Sequence, residues 1–572
     1  MKLTNFIKKR GNLILITFFF FIFSILSINA LHESYPDEFD NILGGKYILS
    51  GSLLYKDYFT HHGPVAYFLS AFILLFSNGS FVIFRILFAF LIFLFLLLSY
   101  LYLRDRFGNI RTSFYLVFIF ITALAGNYYW LHMLLADSLS AYFFAPVIAI
   151  LLLATFYKQR LRLRDLIMIS ILTSLSILNS LTFIFFSILI YCYSLYLYLS
   201  TNKPIRLMSK NSIKILFILG APYIIFFIYL IITSSLTDYL YQGFTFNQLY
   251  YIYNYPRPEG STAINPIRFA IVIANTFYNN YYTLLQQVPS MNLGFPMNIA
   301  MAISTFSLTI YLLLKKRFLF ALFFIGLLVY SNARSDPLTS KETDYQSAIY
   351  IITAFMSAPF LIMQLWEEIS TKLVVYAYRY LYFMLLIITC IYSLSATMFL
   401  FQKFFNRTYD KYMGHAALIY DRPEIAPIIN KITSPSDTFW MGPFEFKELF
   451  YIHAKPASRY QIFIPGMGAA EEIHESFLEE FERTKPKIIW FQKNFSILGR
   501  NPEMYGQFFI DYLDKNYFTI LNYTQNGQSY ISNVPINEKV DIEARLYIRK
   551  EYKEEVIKKL IDNNLIKLKE IY

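Results

Sequence analysis

Apolar stretches of 13 to 21 residues recur along the chain from the N-terminus to Leu400, each closed by a polar or charged break. Stretches near 20 residues are long enough to cross a hydrocarbon layer about 30 Å thick as helices. The strict alternation that a membrane barrel needs is absent from them. Eleven spans are expected: Leu13–Ala30, Phe81–Leu101, Thr112–Ala125, Asp137–Phe156, Leu166–Leu178, Leu181–Leu199, Ile215–Ile232, Met297–Leu314, Phe318–Tyr330, Ala348–Met363 and Tyr380–Leu400. Two further apolar stretches, Val65–Phe76 and Phe269–Leu285, read as helices lying in the membrane interface. The first is short, and the second carries Asn275, Asn279 and Asn280 among many tyrosines.

Beyond about Lys403 the pattern changes. Short β-rich runs (Thr438–Met441, Lys487–Phe491, Tyr517–Leu521) alternate with amphipathic helical ones (Pro423–Lys431, Ala469–Arg483). The expected fold class is an α-helical polytopic membrane domain over residues 1–402, with a first outer loop at 31–80. A small soluble α/β domain over residues 403–572 follows it.

Composition agrees, with 56% hydrophobic residues in a 572-residue chain. The net charge of +12 does not point to nucleic acid, because of where it lies. From Lys403 onward there are 23 basic and 23 acidic residues, so the excess, 27 against 15, belongs entirely to the membrane half. With the N-terminus inside, the inner loops hold 20 Lys and Arg and the outer loops six: Lys46, Lys56, Arg257, Arg268, Arg334 and Lys341. That asymmetry predicts a cytoplasmic N-terminus and an outward tail, in the plasma (inner) membrane. Lys8–Arg10 followed by an apolar run and Ala30 also fits a cleavable signal peptide. The run is long for that, and a retained first helix is expected. Cys192 and Cys390 form neither a disulfide framework nor a metal motif.

Candidate chemistry concentrates just after the first span, where Glu33, Asp37, Glu38 and Asp40 stand within eight residues. Carboxylates at a membrane boundary are costly unless hydrated, paired or used. A plain reading exists, since Pro36-Asp37-Glu38 is a good helix start. A second outer acid, Asp137, opens the fourth span, where it also suits the helix dipole. His61, His62 and His132 lie on the same side, and the outer cations Arg257, Arg268, Arg334 and Lys341 are candidates to bind a phosphate.

Several of these stretches resemble the GT-C superfamily of membrane glycosyltransferases, and most closely its protein O-mannosyltransferase and aminoarabinose (lipid A) transferase group. The residues that carry the likeness are Asp37-Glu38, Gly44-Gly45 through Gly51, Leu54-Tyr55-Lys56-Asp57-Tyr58, His61-His62-Gly63-Pro64 with Tyr67, Arg85, and Ala136-Asp137-Ser138. In the tail they are Asp437–Gly442, Pro456–Tyr460 and Lys485–Ile489. The chain departs from the family in having His62-Gly63-Pro64 where relatives often have Lys-Pro-Pro, and Asp344-Tyr345-Gln346 where many have a His-Tyr pair.

The resemblance implies an inverting transfer of sugar from a polyprenyl-phosphate-linked donor to a lipid, glycan or protein acceptor at the outer membrane face. It implies catalytic roles for Asp37 (as base), Glu38 and Asp137, and donor-phosphate contacts from His62, Arg334, Lys341 and Arg268. Basic groups or a divalent metal would stabilise the departing phosphate. Asp40 is expected to matter little, and Asp57 and Arg85 are open between structural and functional roles. A transporter or flippase of lipid-linked glycans is the alternative in another class; it should show inverted repeats and mid-membrane charges, whereas Arg85 is the one charge inside the expected spans apart from Asp137 at a boundary. A glycan polymerase or ligase would use the same site, and a non-catalytic scaffold fits the acid-rich loop least well.

Overall fold

The computed structural model describes residues 2–201, 208–254, 267, 270–275, 277–278, 296–331, 345–370, 376–413, 423–525, 528–532 and 542–565. Each of the eleven expected spans coincides with a helix. Among the described residues, seven helices are long and apolar enough to cross a membrane: Asn12–Asn29, Phe81–Phe107, Ala136–Phe156, Leu181–Ser200, Met297–Leu314, Ala348–Ser370 and Arg379–Asp410. Shorter apolar helices cover Val65–Ser77, Ser113–Leu124, Phe217–Ile232 and Phe318–Tyr330.

The helices used below are α1 (Lys2–Asn29), α2 (Pro36–Leu49), α3 (Val65–Ser77), α4 (Phe81–Phe107), α5 (Asn109–Leu124), α6 (Ala136–Phe156) and α7 (Leu163–Asn179). Helix α6 is almost wholly buried and lies at the centre, against α4, α7 and the helix Ala348–Ser370. Its small residues (Ser138, Ser140, Ala141, Ala145, Ala149) let neighbouring backbones approach closely, which is how helices associate where no hydrophobic force separates helix from lipid. At the far end of α4 the buried Arg106 pairs with Asp165 of α7 at 3.1 Å, tying that end of the bundle together.

The helix expected to stop at Leu400 runs on to Tyr412. Lys403, Arg407 and Asp410 mark where it becomes polar, but polar residues of good helix propensity do not end a helix, so the change to mixed α/β structure comes after it. Arg407 from this extension donates to the Asn127 carbonyl at 2.6 Å.

The tail holds a mixed six-stranded sheet in the order β2-β1-β3-β6-β4-β5, where β1 is Thr438–Gly442, β2 Lys455–Pro456, β3 Ile488–Phe491, β4 Tyr517–Gln525, β5 Gln528–Ser532 and β6 Ile542–Arg549. Strand β1 pairs parallel with β2 and β3, whereas β6 is antiparallel to both β3 and β4. Trp440 of β1 packs edge-on against Phe477, Phe481 and Phe509 from the two covering helices, Glu471–Thr484 and Gln507–Asn516. The second helix and strands β5 and β6 add to what the sequence pattern suggested.

Candidate functional site

Helix α2 begins with Pro36 at its first turn, followed by Asp37 and Glu38, the arrangement that the missing proline N–H and the helix dipole favour. Its next residues are buried because two glycines let α3 press onto it. A side chain at Gly44 would strike the Tyr67 ring, and one at Gly45 would strike Ser70. Gly63 has a similar role: a Cβ there would meet the Leu178 and Asn179 carbonyls, so glycine lets the His61-His62 segment lie against the end of α7.

This packing forms a cavity of about 320 Å³. Asp37 and Asp40 from α2, Thr60, His61 and His62, Tyr251 and Gln346 make its polar side. Phe444, Phe446, Ile462, Ile464 and Phe495–Leu498 of the tail close it with a wall that is apolar apart from Ser496. The two halves are fastened together. Lys46 donates to the Phe450 and Ile452 carbonyls at 2.8 and 2.9 Å, the Phe59 N–H donates to the Arg459 carbonyl at 2.9 Å, and Arg459 pairs with Asp238 at 3.1 Å. Burial of Lys46 pushes its ammonium down to about 8.

The π-helix Tyr241–Tyr251 supports the histidine segment from the side. Gln242 accepts from the Thr60 N–H at 3.0 Å and donates to the Tyr55 carbonyl at 2.6 Å, and Asn247 donates to the His61 carbonyl at 3.1 Å. The His61 ring lies 4.1 Å from that of His62 and 4.3 Å from that of Tyr251, between centroids.

Of the three carboxylates read as catalytic, Asp37 alone lines the cavity. Glu38 points the other way and is fully buried. It takes the Arg85 guanidinium at 2.5 Å and the Leu134 N–H at 3.1 Å, while Arg85 also donates to the Glu33 carbonyl at 3.0 Å. Burial raises the Glu38 carboxyl, opposed by the charge of Arg85. Asp137 is buried in the first turn of α6, where its charge suits the dipole, and it does not line the cavity.

The loop before Asp137 is strapped to α2 through Leu134, which also accepts from Asn41 at 3.0 Å. In that loop His132 bonds to the Gly126 carbonyl at 2.9 Å, and burial, helped by the Arg85 charge, holds it well below the usual imidazole range. Asp57, itself exposed, closes the turn at 53–57 by accepting from the Leu53 N–H at 2.8 Å, while Leu54 and Tyr55 of that turn are buried. Arg85 and Asp57 are thereby given structural work.

His62 lines the cavity. Arg257, Arg268, Arg334 and Lys341 lie outside the described residues, as does most of Phe269–Leu285. Among the described residues no group of three or more His, Cys, Asp or Glu side chains is placed to hold a metal ion.

Asp40 is the functional candidate that sequence reasoning passed over. It is buried, with one oxygen accepting from Tyr58 and the other from Tyr67, both at 2.5 Å. Its burial pushes the carboxyl up to about 7, the two hydroxyls pull it back, and the nearby Asp37 raises it further. The signal available in the sequence was its spacing from Asp37, three residues on and so on the same helix face. No comparable signal marks the apolar wall from the tail. Compared with protein-family models and with curated proteins, the chain matches none.

Proposed function

We propose that this protein is an inverting glycosyltransferase of the GT-C type, which moves a sugar from a polyprenyl-phosphate-linked donor to a lipid, glycan or protein acceptor. The observation that carries the reading is the cavity in which Asp37, at the start of α2, meets His61 and His62. In that reading the acceptor hydroxyl oxygen attacks the anomeric carbon as the bond from that carbon to the phosphate oxygen breaks. Asp37 takes the hydroxyl proton, and the polyprenyl phosphate leaves with the bonding pair, inverting the centre.

His61 and His62 supply ring N–H groups near the departing phosphate, and neither needs to be permanently charged to donate. Arg268, Arg334 and Lys341 are proposed to add the fixed positive charge. In support, Tyr251 and Gln346, which flank the segments carrying these residues, both line the cavity. Arg334→Ala or Lys341→Ala should weaken apparent donor affinity by about 1.5–3 kcal/mol, the usual loss for one charge-assisted contact, with folding unchanged. Titration of purified variants with a polyprenyl-phosphate sugar checks this. Unchanged donor affinity in both would move the phosphate site to His62, Arg257 and Arg268.

The proposed topology has eleven crossings, a cytoplasmic N-terminus and an extracytoplasmic tail in the plasma membrane, supported by the 20-to-six distribution of Lys and Arg. Reporter fusions at Lys316 and Lys411 should report opposite sides, and an inward Lys411 would reverse the placement of the cavity. Mass spectrometry of surface glycans from a strain lacking the protein tests the activity itself. A glycan profile identical to the parent's, together with no release of polyprenyl phosphate by the purified protein, would overturn the reading.

A further inference from the structure

We propose that Asp40 is the positioning partner of Asp37, a second carboxyl in the same cavity whose own charge sets how readily Asp37 takes a proton; this rests on Asp37 being the base. Residues three apart on a helix bring their Cβ atoms to about 5–6 Å, and both side chains line one cavity. Asp40 is not a solvated loop acid. Tyr58 comes to it from the turn after α2 and Tyr67 from α3, each hydroxyl donating to a separate carboxyl oxygen. Tyr67 is bonded in turn to Thr60 at 2.7 Å, and Thr60 accepts the His62 N–H at 3.1 Å. One chain of hydrogen bonds therefore runs from Asp40 to the backbone of the histidine pair.

The groups facing Asp40 can be named element by element. They are Asp37 on its own helix, Tyr58 from the turn, Tyr67 from α3, and His61 and His62 across the cavity. From the tail, the helix Phe446–Tyr451 packs on α2. Its Glu448 is committed to the N–H groups of Glu424, Ile425 and Ala426, and Lys46 of α2 is committed to the Phe450 and Ile452 carbonyls. The tail's cavity wall includes the uncharged Phe444, Phe446, Ile462 and Ile464, and the titratable Glu445 stands between the first two, its carboxyl pushed up to about 8 by burial. Asp40 thus bonds two phenols and feels one other carboxylate, and two imidazoles line the same cavity.

The consequence follows from reciprocity. The Asp37 charge makes Asp40 harder to ionise, and an ionised Asp40 must make Asp37 hold a proton more firmly by the same amount. An acid poised near neutrality therefore turns the base on as pH rises through about 7.

Infrared difference titration of the purified full chain reads Asp40 directly, through the C=O stretch of its protonated form. The wild type should show a buried carboxyl band that disappears with a midpoint near pH 7, and Asp40→Asn should lack it. Asp37→Asn should move the midpoint down, since a negative neighbour is lost. Tyr58→Phe and Tyr67→Phe should each move it up, since a donor to the carboxylate is lost. In transfer assays Asp40→Asn should lower kcat at pH 8 by roughly threefold to tenfold with KM little changed, and flatten the rise of rate through pH 7. If Asp40→Asn removes no titrating band, or if the band it removes keeps its midpoint in Asp37→Asn, the proposal is overturned; the separate band of Glu445, whose carboxyl is pushed up to about 8 by burial, is identified with Glu445→Gln. Transfer at the parental rate by Asp37→Asn would instead sink the assignment of the base, and the infrared titration would still report whether the two carboxyls are coupled.

Discussion

Asp37→Asn should give a protein that inserts, folds and unfolds like the parent yet transfers sugar about 10²–10⁴-fold more slowly, the usual contribution of one general base. The substitution keeps the shape of the side chain at the second residue of α2 and gives up only its charge interaction with the helix dipole, typically about 0.3–1 kcal/mol. It removes the negative charge and the capacity to take a proton. Were Asp37 present only to start the helix, expression, thermal stability in detergent and transfer would all stay near parental values. The matched control is Asp57→Asn, at an exposed side chain whose bond from the Leu53 N–H an Asn oxygen can still accept. Asp40→Asn cannot serve as that control, although the sequence suggests it, because Asp40 shares the cavity with Asp37. Assays run with both a saturating and a limiting donor concentration separate chemistry from binding: loss of a base lowers kcat, and loss of a binding contact raises KM. Parental rates in the Asp37→Asn variant would end the mechanism and leave the helical architecture untouched.

How much of this was legible beforehand depends on the kind of signal each residue leaves. The helices are legible because apolar length and charge breaks are written directly into the chain, and their errors are at the ends, as with the helix that runs past Leu400 to Tyr412. The start of α2 is legible from Pro36-Asp37-Glu38, and the sharing of one cavity by Asp37 and the histidines from their common segment between the first two long apolar helices. The split between neighbours is not. Asp37 and Glu38 differ by one position, about 100° around a helix, which turns one carboxylate into the cavity and the other onto Arg85, 47 residues away. No local pattern says which of the two faces which partner. The glycines show the same limit. Gly44 and Gly45 stand out as a pair, but that they exist to admit Tyr67 and Ser70 depends on where α3 lies. The tail's contribution was hidden for a related reason, since Phe444, Ile462 and Phe495 look like any soluble core and meet the cavity through tertiary docking alone.

Removing either member of the Glu38–Arg85 pair should be the most destabilising single change near the cavity. Both side chains are fully buried, and the guanidinium and carboxylate lie 2.5 Å apart. The pair also joins four places in the chain: α2 through Glu38, α4 through Arg85, the Glu33 carbonyl and the Leu134 N–H. Truncating one partner leaves the other charge buried without its counter-ion, which typically costs about 3–5 kcal/mol. Glu38→Ala and Arg85→Ala should therefore each lower the midpoint of thermal unfolding in detergent and reduce the amount of folded protein recovered. Replacing both by apolar residues of similar size, Glu38→Leu with Arg85→Met, removes the unpaired charge and should recover much of that loss, because a buried ion pair is often no more stabilising than a well-packed apolar pair. A residue that moves protons behaves differently: its truncation spares the fold, and no second substitution on α4 restores the rate. If Glu38→Ala unfolds at the parental temperature and has lost transfer, Glu38 belongs to the reaction and the clamp described here is incidental. If the single variants are unstable and the double variant both folds and transfers, Glu38 and Arg85 hold α2 against α4, and the chemistry falls to the carboxylate one residue before Glu38.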